Sequence, residues 1–103
     1  MKEIVDDVER WRANGERIAI ATVIATRMSA PRPVGAKFAV SESGAMCGSV
    51  SGGCVESDIV EHAAEVLATG EPKLLSYGIS DDDASGVGLP CGGEIDVFLE
   101  RFE

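Results

Sequence analysis

A chain of 103 residues, 45% hydrophobic and 26% charged, has room for one domain with a modest core and the composition of an ordinary globular protein. Its net charge of −9 repels nucleic acid and anionic membrane surfaces, and no apolar run approaches the ~20 residues of a membrane-spanning helix, so neither is expected as a partner. The N-terminus, MKEIVDDVERW, is acidic and periodic, unlike a signal or transit peptide, and three cysteines without a CxxC pair form no disulfide framework; the cytoplasm is the expected location.

Ile4, Val8 and Trp11 recur at helical spacing with Val5 beside them, and Asn14-Gly15 supplies a stop, which predicts an amphipathic helix over 2–13. IAIATVIAT (18–26) is apolar on both alternating faces, the pattern of a central strand covered on both sides. Pro31 and Pro33 exclude regular structure from 28–35 and predict a stiff, exposed loop. KFAV (37–40) and AMCGSV (45–50) read as short strands joined by a Ser-Glu-Ser-Gly turn into a hairpin. After Ser51-Gly52-Gly53, residues Val55, Ile59, Ala63, Val66 and Leu67 share one helical face, while Glu56, Asp58, Glu61, His62 and Glu65 turn away from it. Gly70 and Pro72 end that helix. LLSYG (74–78) reads as a strand, 79–93 as a Gly- and Asp-rich loop, and EIDVFLERF (94–102) as a closing strand with Ile95, Val97 and Leu99 on one face. No repeat, low-complexity tract or linker interrupts the pattern. Residues 1–103 are therefore expected to form a single α+β domain, two helices packed on a mixed sheet of about five strands.

Three segments carry unusual chemistry: SAPRPVGAK (29–37), GSVSGGCVE (48–56) and GVGLPCGG (86–93). Gly52-Gly53 lets the backbone approach a ligand closely and runs into a helix start, where unpaired N–H groups and the helix dipole favour an anion. The same field lowers the pKa of a thiol, and Cys54 stands at or near the first turn; a simply buried thiol is the competing account. Cys91, between Pro90 and Gly92-Gly93, is either a reachable thiol or an incidental one in a tight turn. Cys47, mid-strand, reads as a small buried hydrophobe. Between Arg17 and Ser41 there is no carboxylate, whereas Arg17, Arg27, Arg32 and Lys37 all lie there. These are either an anion-binding patch on an acidic body or four scattered, solvated cations. Zinc is disfavoured: His62 follows Cys54 by eight residues, ~12 Å along a helix, beyond the span of one ion. No nucleophile-elbow sequence surrounds a serine, GSVSGG is not a dinucleotide fingerprint, and Asp81-Asp82-Asp83 reads as a solvated triplet.

In series, ATVIATRMSAPRPVGAKFAVSESGAMCGSVSGGCVE, then LLSYGISDDDASGVGLPCGG and a last strand, resemble the N-terminal domain of the XdhC/CoxI family, from about Ala21 to Val97. The resemblance implies a maturation factor, a cofactor chaperone that either only carries the cofactor or also assists sulfur transfer. Such a factor binds the molybdopterin form of the molybdenum cofactor, protects it while it acquires its terminal sulfur, and passes it to a xanthine dehydrogenase or carbon monoxide dehydrogenase type hydroxylase. No catalytic residue is assigned. On this reading Arg32, Lys37, Ser51, Gly52 and Gly53 serve the anionic end of the cofactor. Cys54 and Cys91, with Gly92 and Gly93, serve the molybdenum or sulfur end. The expected partners are an apo molybdenum hydroxylase, a cysteine desulfurase and a second copy in a homo-oligomer. Many members carry a second, Rossmann-like domain beyond these 103 residues; it is expected as a separate polypeptide, as a part trimmed away or as dispensable here, and in the first case a separate Rossmann-domain protein is a further partner. Met28 stands where the family often has glycine, which stiffens or narrows the first loop. Two other classes compete: an adaptor that docks a dehydrogenase subunit or sulfurtransferase without cofactor, and a thiol redox protein using Cys54 and Cys91.

Overall fold

The computed structural model describes residues 4–27, 32–51, 55–78 and 94–102. The elements follow the hydrophobic periods. They are α1 (Val5–Ala13), β1 (Ile18–Arg27), β2 (Lys37–Ser41), β3 (Met46–Gly48), α2 (Glu56–Thr69), β4 (Lys73–Tyr77) and β5 (Glu94–Phe102). One five-stranded sheet has the order β3-β2-β1-β5-β4. The expected α+β class, two helices and five strands are all present. The pairing differs from the mixed sheet expected, because every neighbour is antiparallel. The connections after β1 (28–36) and β2 (42–45) are shorter than the dozen or so residues that a parallel crossover needs, so these neighbours pair antiparallel. The long connection through α2 runs from one edge strand to the other, so it never sets two strands side by side in parallel.

Alternation along β1 builds two cores. Ala19, Ala21 and Val23 join Phe38, Val40, Ile95, Val97 and Leu99 under Val55, Ile59, Ala63, Val66 and Leu67 of the α2 region. Each fully buried Val, Ile or Leu side chain there contributes about 1.5–3 kcal/mol relative to exposure. On the other face, Ile18, Ile20 and Ala39 meet Ile4, Val8 and Trp11 of α1, with Cys47 and Phe102 at the margin. Cys47 is half-buried rather than enclosed, because β3 is an edge strand.

The β1–β5 ladder slips by one residue between Val23 and Ala25. A bulge of this kind reverses the alternation beyond it. Thr26 therefore lies opposite buried Ile95, and Arg27 shares the α1 side with Glu94 and Asp96, donating to them at 2.7 Å and 3.0 Å.

The registers set the ends of the strands beside one another: Arg27 opposite Glu94, Tyr77 opposite Ile95, Phe38 opposite Gly48, and Val23 bonded to Ala36. Consequently 28–36, 49–55 and 78–93, which hold the three unusual segments, all leave and rejoin the described fold at one end of the sheet. The 42–45 turn and Gly70 lie at the other end.

Candidate functional site

α2 begins at Glu56, and its side chain folds back onto the loop that leads into the helix. Among the described residues the carboxylate accepts from five donors. Ser49 Oγ and Val50 N lie at 2.9 Å, Ser51 N at 3.0 Å, Val55 N at 3.3 Å, and the Ser51 hydroxyl closes the set. Val55 N also donates to Ser51 Oγ at 3.0 Å. Burial pushes the Glu56 carboxyl up, but the hydroxyl of Ser51, the N–H groups of Val50 and Ser51 and the hydroxyl of Ser49 outweigh it and bring the pKa down to about 2. The anion expected at this helix start is thus supplied by the chain itself, and the N–H groups of Val50, Ser51 and Val55 are already partnered.

A second polar group stands beside it. Tyr77, buried at the end of β4, donates its hydroxyl to Asp58 Oδ2 at 2.7 Å. Burial, the Asp58 hydrogen bond and the nearby carboxylates push the phenol far above its ordinary value. His62, on the face turned away from the core, lies 3.5 Å from the same Asp58 oxygen through Nε2 and 3.3 Å from Lys73 Nζ through Nδ1. Both of its ring nitrogens face partners.

Gly48 explains how β3 enters this loop. Its φ is +79°, and a Cβ there would stand 2.3 Å from the Lys37 carbonyl oxygen and 2.6 Å from Ile4 Cγ2. Only glycine fits, because the backbone conformation and the space both exclude a side chain.

The four cations of the acid-free stretch separate. Arg17 donates to Leu67 O at 3.2 Å and pairs with Glu42 at 3.4 Å, far from the loop end. There an open cleft of about 480 Å³ is lined by Arg12, Arg17, Arg101 and Phe102. Arg101 lies against Gly70, so it and Arg17 serve the C-terminal turn of α2, which has no basic residue of its own. Arg27 is committed to Glu94 and Asp96. Lys37 begins β2 and donates to Thr22 Oγ1 at 2.8 Å on the α1 side of the sheet. Arg32 is half-buried in the turn before β2, with Nε enclosed. Of the expected site residues, Ser51 is placed in the α2 loop; Arg32 and Lys37 flank the hairpin at the same end of the sheet. Gly52, Gly53, Cys54, Cys91, Gly92 and Gly93 lie outside the described residues.

Glu56, Gly48 and the Asp58–Tyr77 pair were missed as site residues. A glycine inside a strand already signals close backbone approach. An acid just after a serine-rich helix entrance resembles capping-box logic at a different spacing. Nothing in the sequence pairs Tyr77 with Asp58. Among the described residues no group of three or more His, Cys, Asp and Glu is arranged to hold a metal ion, and no helix is long and apolar enough to cross a membrane.

The sequence model of the XdhC and CoxI family matches residues 11–78, well over half of the chain. The chain belongs to the XdhC and CoxI family. It is 36% identical over 88 residues to the molybdenum cofactor insertion chaperone PaoD of Escherichia coli K12, covering 85% of this chain and 27% of that protein. A probable xanthine dehydrogenase subunit of Bacillus subtilis is 35% identical over 88 residues, covering 84% and 27%. A crystal structure described as a xanthine dehydrogenase from Bacillus halodurans superposes with a TM-score of 0.78 at 32% identity, over 96% of this chain and 30% of that one. The chain thus spans little more than a quarter of the curated relatives named here. This family member shares the fold of the Bacillus halodurans protein over nearly its own whole length.

Proposed function

We propose that this domain handles the molybdenum cofactor during maturation of a xanthine dehydrogenase or carbon monoxide dehydrogenase type hydroxylase. The observation that carries the reading is that the described residues bordering the three family segments, Arg27, Ala36, Gly48, Tyr77 and Glu94, stand at one end of the sheet. Support comes from the similarity to an insertion chaperone. The donor chemistry fits the cofactor in part. The α2 entrance is occupied by Glu56, so a phosphate finds its cation at Arg32, with Gly52 and Gly53 allowing close approach, while Lys37 reaches the same end of the sheet from the α1 face. Cys54, Cys91 and the following Gly92-Gly93 serve the metal or sulfur end. When bound, the cofactor supplies the molybdenum and dithiolene that the client requires. The protein's own part is to hold it, exclude water and release it, in the cytoplasm, to an apo hydroxylase, with a cysteine desulfurase and a separate Rossmann-domain protein as further partners. A homo-oligomer belongs to the same proposal.

The test is production in a molybdate-fed host, with molybdenum analysis and pterin fluorescence on the purified protein, and client activation by wild type, Cys54→Ser and Cys91→Ser. Bound pterin and loss of activation in the variants support the reading. Protein without pterin that still activates the client supports an adaptor instead. A mass loss of two hydrogens on mild oxidation supports a thiol redox protein.

A further inference from the structure

At the far end of the sheet the strand register gathers three arginines. Ile18 stands opposite Phe102 and Ala19 opposite Arg101, so Arg17, just before β1, arrives beside the last residues of β5. Arg12, in the last turn of α1, holds its guanidinium 5.2 Å over the Phe102 ring. Together they line the open cleft of about 480 Å³, with Gly15 and Glu16 as its remaining walls. Glu16 accepts the Ser43 N–H at 3.2 Å, which draws its carboxylate toward the 42–45 turn. Arg17 is partly committed, to Leu67 O and Glu42. Arg12 is exposed and makes no hydrogen bond to a described residue, so its five N–H donors stay open to a ligand.

We propose that this cleft docks an acidic segment of a partner protein. Arg12 offers a planar fork that matches a carboxylate, and its seat on Phe102 fixes the plane before the partner arrives. Arg17 and Arg101 supply positive field for a second acid beside the first. The open shape favours a segment over a free small anion. A lone anion there stays in water, where an exposed ion pair is weak, whereas a segment brings several carboxylates for one loss of translational freedom. The net charge of −9 does not forbid the encounter, because charges beyond about 8 Å are largely screened at physiological salt. It does disfavour a long polyanion such as nucleic acid, which would run past the three arginines onto the acidic body.

Hexaglutamate blocked at both ends is the probe, titrated at low salt while the arginine Nε–Hε signals are followed by NMR. Arg12, Arg17 and Arg101 should shift saturably. Arg10, paired with Asp7 outside the cleft lining, should not. Arg12→Ala should weaken binding at least about tenfold, and Arg12→Lys by less, because an ammonium keeps the charge but not the fork. Arg10→Ala should bind as wild type does, and added salt should weaken wild-type binding. The docking role is overturned by the absence of saturable shifts, by wild-type affinity in Arg12→Ala, or by equal weakening in Arg10→Ala. Inorganic phosphate that moves the same three signals at concentrations as low as the peptide's also overturns it, and marks a small-anion site instead. If Arg12→Ala fails to fold, Arg12→Lys decides alone: wild-type affinity there overturns the role of the fork.

Discussion

Replacing Gly48 by alanine should unfold much of what holds the loop end together. The new Cβ would sit 2.3 Å from the Lys37 carbonyl oxygen and 2.6 Å from Ile4 Cγ2 in a backbone at φ +79°. The left-handed conformation costs a non-glycine residue about 1–2 kcal/mol. The Lys37 carbonyl must move, and it accepts the Ser49 N–H at 2.8 Å, so a hydrogen bond of about 1 kcal/mol is strained or lost. Ile4, fully buried, must shift in a packed core, which adds about 1–3 kcal/mol. The sum, about 3–6 kcal/mol, is a large part of the 5–15 kcal/mol typical of a whole domain. Gly44→Ala is the internal control: its φ is +96°, but nothing lies within 4 Å of the added Cβ, so only the backbone cost of about 1–2 kcal/mol applies. Urea denaturation of both variants, followed by circular dichroism, measures the difference. If Gly48→Ala is no less stable than Gly44→Ala, the close approach of β3 to Lys37 and α1 is wrong.

Glu56 makes stability depend on acid: its pKa is lowered from 4.5 to about 2, so its contribution is full above pH 4.5 and lost as the pH falls toward 2. The shift sets a ceiling of about 3 kcal/mol, which partial exposure reduces to about 1–2 kcal/mol; the gap in urea midpoint between wild type and Glu56→Gln should close between pH 5 and 2, and a constant gap would contradict it. Tyr77, the single tyrosine, should show no phenolate absorbance at 295 nm in the native protein at pH 10–11, and should ionise normally once unfolded; native ionisation near pH 10 would refute the Asp58 contact. Because the folded phenol keeps its proton while the unfolded one loses it, stability should fall as the pH rises above 10. Arg32→Ala should weaken molybdopterin binding about ten- to a hundredfold, most at low salt; an unchanged dissociation constant in a binding titration makes Arg32 a loop charge only.

The helices and strands were legible because their periods differ. The 3.6-residue face of Ile59, Ala63 and Val66 and the two-residue alternation of Ile95, Val97 and Leu99 admit few other readings. The pairing sense was less legible, since it depends on where the α2 connection lands rather than on any strand's own residues. The bulge at Ile24 leaves no mark in an apolar run. At the site, the helix entrance was recognised but its occupant was not: a glutamate one residue into a helix ordinarily faces water, and only the path of Ser49–Ser51 turns donors toward it. Lys37 shares the carboxylate-free stretch with Arg32, but the strand alternation sets its ammonium beside Thr22, on the face opposite α2.

The slip at Ile24 also gives β1 one residue that it can lose. Removing Ile24 would let the ladder with β5 run unbroken in its present register, with Ala25 still opposite Asp96 and Arg27 still opposite Glu94, so Arg27 keeps its side of the sheet and both carboxylate partners. Losing a second residue from the same stretch leaves no bulge to absorb it: Arg27 would then stand opposite Ile95, turned toward the α2 core and away from both acids. A residue added to the 42–45 turn at the far end carries no such penalty, because that turn closes a hairpin whose strands already face the right way. Between Val23 and Arg27, β1 should therefore tolerate one deletion and not two.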